Sequence, residues 1–169
     1  MAGRGFGKFK SVGEFLASHA AAGGHAASAA EQGLSFEERA QRRRQQVPNV
    51  VEVAATLKRR EGNDTSGAQH IQLLITLTRL IQGNPAVDAD IRRVLADGED
   101  VFVAIRTGDS EGIAQPIQGL VAGVGLDLKG EWIPRDQAGA AGGEHISVLH
   151  FTHHPVGFIC VAQPPACYQ

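Results

Sequence analysis

Residues 70–82 read HIQLLITLTRLIQ, and the period assigned to this run decides the fold. Ile71, Leu74, Ile75, Leu77, Leu80 and Ile81, with Leu73 flanking, lie close to the i, i+3, i+4, i+7 stripe of a helix with one apolar face. Two-residue alternation from Ile71 to Leu77 would instead make a strand. The length of the run favours the helix, because strands of this length are uncommon. Gly83-Asn84-Pro85 ends it. A further helix is expected from Val87 to Ala96, apolar at Val87, Ile91, Val94 and Leu95, with Gly98 as its C-terminal glycine.

Upstream, the patterns are also helical. Ser35 with Glu38 has the capping-box spacing and opens a polar helix from Phe36 to Gln46, which Pro48 stops. Ser11 with Glu14 repeats that spacing before a helix from Val12 to Ala22, ended by Gly23 and Gly24. Ala26 to Gln32 is a second Ala-rich piece. From Asn49 to Arg60, Ala54 and Ala55 dilute the β-branched residues, so another helix is expected. Glu61 to Gly67 is a loop by composition. It divides a helical, basic region (1–66, with a flexible leader) from a second domain (67–169).

Downstream the period shortens. Asp100 to Thr107 and Lys129 to Pro134 read as strands. Ile146 to Thr152 and Phe158 to Ala162 read as a C-terminal β-hairpin joined by His153 to Gly157, and Gln163 to Gln169 as an irregular tail. The expected class is therefore α+β: N-terminal helices, then a small antiparallel sheet ending in a C-terminal β-hairpin.

The net charge of −2 hides an asymmetry: +3 over residues 1–66 against −5 over 67–169. A basic arm on an acidic body suits nucleic acid or an acidic partner. Arg39, Arg42, Arg43 and Arg44, with Lys58, Arg59 and Arg60, are the candidate contacts. Few aromatics lie among them, so any contact is electrostatic and salt-sensitive. No apolar run is long enough to cross a bilayer, and no secretory signal pattern is visible. Two cysteines are too few for a disulfide scaffold; an oxidising compartment would allow a Cys160–Cys167 bridge, and a cytoplasmic protein with free thiols is the simpler expectation.

Four of the seven histidines and both cysteines fall in the last 25 residues. His153, His154, Cys160 and Cys167 supply the donor types of a zinc site. His150 and Thr152 would share a strand face with His154, setting imidazole beside hydroxyl for acid–base work on a phosphoester. The His-x-Ser/Thr form of His145-Ile146-Ser147 and His150-Phe151-Thr152 resembles the strands of two-histidine phosphoesterases. Here the two copies lie on one strand and point to opposite faces. The expected function is a small binding or accessory protein acting through protein or nucleic-acid contacts. The alternative is a His-dependent, metal-assisted phosphodiesterase or nuclease at the C-terminal hairpin.

Overall fold

A computed structural model describes residues 34–63, 69–108, 112–138 and 146–169. In chain order the elements are α1 (Phe36–Gln46), β1 (Val50–Arg60), β2 (Gln69–Gln82), α2 (Asp88–Asp97) and β3 (Asp100–Thr107). They are followed by β4 (Gly125–Ile133), β5 (Val148–His150), β6 (Phe158–Ala162) and β7 (Pro165–Tyr168). The described chain is mostly strand, which overturns the α+β expectation. The helices expected over Val12–Ala22 and Ala26–Gln32 lie outside the described residues.

Residues 70–82 form a strand. Ile71, Leu73, Ile75 and Leu77 point into the main core, and Leu73 and Ile75 are at zero exposure. The residues between them are not all polar and exposed: Leu74 is fully buried and His70 is 4% exposed. A strand covered on both faces reads as a nearly continuous apolar run, and such a run also satisfies a helical stripe. Burying each inward side chain stabilises the fold by roughly 1.5–3 kcal/mol. The stretch read as a helix from Asn49 to Arg60 is likewise β1, with Val51, Val53, Ala55 and Leu57 alternating inward. Ala55 joins that inward set, and Ala54 points to the outer face.

β1 pairs antiparallel with β2 on one side and with β4 on the other. β2 pairs antiparallel with β3. The spatial order β4-β1-β2-β3 is a Greek key. β5 then inserts between β3 and β4, parallel to the first and antiparallel to the second. Five strands thereby close into a barrel of the OB-fold type, a five-stranded Greek-key barrel. Three register irregularities in the β1–β2 ladder supply the bending that closure needs. The residues of the loop at Glu61 to Gly67 connect β1 to β2 of this one barrel.

α2 forms close to where its pattern places it and packs Val87, Ile91 and Val94 into the core. Gly98 takes the left-handed conformation at its C-terminus. α1 precedes the barrel, its Ser35 and Glu38 side chains reciprocally capping its first turn. It is a short helix directly ahead of the barrel.

The C-terminal hairpin is redrawn. β5 and β6 do not pair with each other: β5 lies inside the barrel, whereas β6 pairs with β4 and with β7. Phe151 breaks the expected strand after His150 by adopting φ 55°. The tail expected to be irregular is β7, the partner of β6 in the actual hairpin.

Candidate functional site: a basic barrel end, a histidine cluster and a groove

The end of the barrel where β1 leaves and β3 finishes is basic. Lys58, Arg59 and Arg60 are exposed at the last turn of β1, and Arg106 lies near the end of β3 on the same side. Lys58 reaches across the outer face to Asp100, 2.9 Å away. Arg59 donates to Glu61 at 2.7 Å and Arg60 to Asn63 at 3.1 Å. The cationic side chains of Lys58 and Arg59 are about half exposed while their carboxylate partners are largely covered, so the cations keep a face toward solvent on which a phosphate can be met. In α1, Arg39 and Arg42 are exposed; the side chains of Arg43 and Arg44 lie outside those described.

The outer face of β2 and β3 carries His70, Gln72, Leu74 and Thr76 opposite Arg106, Ala104, Phe102 and Asp100. Its one ring besides histidine, Phe102, is 6% exposed and packs with Ile133, Ala138 and Val148 in a second small core. This face therefore offers no exposed phenyl, phenol or indole for base stacking.

His150 faces outward from β5, in register with Glu131 of β4. Its ring lies 6.3 Å from that of His70 and 4.2 Å from that of Phe151, which is 5.7 Å from His153. His70, Glu131, His150, Thr152 and His153 are all buried. The His153 Nδ1 is 2.8 Å from the His154 carbonyl oxygen, so Nδ1 carries the proton and donates. His70 enters from a strand near the middle of the chain, and sequence spacing gave no sign of it. With His150 and Thr152 buried, and Phe151 turning the chain between them, the side-by-side arrangement on one strand face does not form. His154 sits beyond that turn, half-buried.

The zinc reading falls. Cys160 and Cys167 stand directly opposite on β6 and β7 and are joined as a disulfide, so neither offers a thiolate. Among the described residues no three His, Cys, Asp or Glu side chains gather closely enough to hold a metal ion.

No known family model, curated protein or solved structure matches this chain. Site and topology therefore carry the functional reading.

A concavity also lies on the outer face of the barrel. A groove of about 380 Å³ runs over β1, β2, β4 and β6. Ala54 is paired with Arg79 on one side and Asp127 on the other, and Asp127 is paired with Cys160. These side chains therefore form one row across the outer face. Burial raises the Asp127 carboxyl above its ordinary range, a shift that the Arg79 charge only partly opposes. No helix among the described residues is long and apolar enough to cross a membrane.

Proposed function

We propose that this chain is a binding protein for single-stranded nucleic acid, held chiefly by phosphate contacts at the basic end of the barrel. The observation that supports this best is the placement of Lys58, Arg59 and Arg60 at the β1–β2 connection. In five-stranded Greek-key barrels of this type, that connection borders the surface on which oligonucleotides lie. The fold contributes by analogy; the cations contribute by charge. Without an exposed aromatic platform, affinity should be modest and strongly salt-dependent.

The test is fluorescence anisotropy of a labelled dT oligomer titrated with the full chain at several salt concentrations. Binding should weaken with salt, and the combined Lys58→Ala, Arg59→Ala, Arg60→Ala variant should shallow the salt slope by about two to three contacts. Binding that is absent at low salt, or unchanged in the variant, overturns the proposal. A cytoplasmic setting goes with this function, and there the Cys160–Cys167 bridge, exposed at Cys167, would meet a reducing pool. Alkylation trapping in intact cells should then find free thiols. A fully bridged pair would argue for an oxidising compartment.

A further inference from the structure

The groove over β1, β2, β4 and β6 is chemically unlike the basic end. Its floor is made of small side chains, Ala54, Thr56, Gly125 and Ala162. A flat ring could rest almost directly on the sheet backbone there. Ile81, at one wall, is 40% exposed and one of two large apolar residues so exposed among those described. Arg79 stands at the rim, exposed, and makes no ion pair with a described residue. Asp127 stands two strands away, on the far side of Ala54.

We infer that this groove binds a nucleoside monophosphate unit, its base on the small-residue floor against Ile81, its phosphate on Arg79 and its exocyclic amino group on Asp127. The spacing suits it. The backbones at Arg79 and Asp127 are separated by two strand intervals, about 10 Å at roughly 4.8 Å per strand, and the long Arg79 side chain, whose charge reaches Asp127, can swing to the rim to meet a phosphate one nucleotide's span away. The volume suits it too, since small-ligand sites begin at about 300 Å³. Charge complementarity fixes the orientation. A guanidinium recognises phosphate in a fork, and a carboxylate accepts from the amino group of cytosine. Asp127 has a polar group to gain from such a partner, because burial disfavours its charged form and a donor would offset that cost. Bases carrying an amino group should therefore be preferred over uracil and thymine.

The nucleotide could be free, or one unit of a bound strand; only the second source rests on the function proposed above. Calorimetric titration of the full chain with CMP, UMP and inorganic phosphate tests the groove itself. CMP should bind several-fold tighter than UMP. Arg79→Ala should weaken CMP by about tenfold, the loss of one charge-assisted contact. Asp127→Asn should narrow the gap between CMP and UMP. Ala162→Phe should fill the groove and abolish binding; Ala162 is exposed, so the fold should tolerate the ring. Ala54→Leu fills it from the other strand and serves should the first variant misfold. A dC oligomer measured beside CMP separates the sources. Weakening of the oligomer by Ala162→Phe assigns the groove to a strand unit. CMP binding with an indifferent oligomer assigns it to a free nucleotide. Oligomer binding that survives both groove-filling variants, with no CMP binding, overturns the groove and leaves strand binding standing. Phosphate binding as tight as CMP overturns the base site.

Discussion

The indole Nε1 of Trp132 donates to Asp90 Oδ2 at 2.9 Å, tying β4 of the barrel to the helix α2. The same oxygen accepts from Ser147 Oγ at 2.8 Å, and the other carboxylate oxygen from Arg93 at 2.8 Å. One carboxylate thus joins the helix, β4 and the approach to β5. Trp132 and Ser147 are at zero exposure, so both donors depend on this acceptor. Asp90→Ala should destabilise by about 2–4 kcal/mol, since it leaves buried donors without a partner. Asp90→Asn, which keeps one acceptor, should lose less. Urea unfolding followed by Trp132 fluorescence measures both, and equal losses would show that the charge, not the acceptor, matters.

Acid should weaken the same junction. Burial alone would raise the Asp90 carboxyl, but hydrogen bonds from Arg93, Trp132 and Ser147 outweigh it and hold it below its ordinary 3.8. A lowered acid stabilises the fold fully above that ordinary value, and the contribution is lost as pH falls through the lowered one. Asp127 has the opposite sign: its raised carboxyl favours the folded state in acid and loses that contribution as pH rises past 3.8. Thermal melts from pH 7 down to pH 2 should therefore separate the variants. Asp90→Asn should flatten the acid loss and Asp127→Asn should steepen it; a flat wild-type profile in this window would refute the assignment.

The Cys160–Cys167 bridge closes a short loop between adjacent strands. Chain-entropy reasoning gives it about 2–3 kcal/mol. Replacing both cysteines by Ser should cost that much, with hydrogen-exchange protection lost first at β7. Tyr168, whose hydroxyl accepts from the Gln118 amide at 3.1 Å, should loosen with it. The barrel amides of β1 should stay protected, and if they exchange together with β7 the hairpin is integral to the barrel.

Gly157 leaves no room for a side chain. A Cβ there would meet the backbone oxygens of Lys129 and Phe151, atoms that cannot rotate away. Gly157→Ala should cost several kcal/mol, at the upper end of single substitutions. Gly62→Ala, where nothing lies within 4 Å, should be near neutral. Comparing their urea midpoints checks the contrast.

Much of the chain was legible where one physical signal acted alone. The Ser35/Glu38 cap and the stripe of α2 each read correctly because propensity, pattern and environment agree, and β3 reads as a strand because its short apolar run is β-branched and closed by Gly108. β2 was misread because a strand buried on both faces loses its polar alternation, leaving length as arbiter. β1 was misread because Ala54 and Ala55 report helix propensity, whereas in the barrel Ala55 fills an inward position and Ala54 lines the outer groove. The pairing of Cys160 with Cys167 depends on the β6–β7 register, set by a turn at Gln163 and Pro164 that composition alone reads as the start of an irregular tail. The groove was invisible for a related reason: Arg79, Ala54 and Asp127 are neighbours only across three strands.

Barrel closure rests on β5, three residues long, between β3 and β4. Its first residue, Val148, follows the last of β3 by some forty positions. Emerging from a ribosome, the chain must carry β1 to β4 as an open sheet until residue 150 is free, with the edge of β3 bare. Contacts so distant in sequence form slowly, and bare edges recruit other chains. Truncation just before Val148 should therefore yield an aggregating product rather than a smaller soluble one. The three residues that close the barrel thus also protect the growing chain from its neighbours.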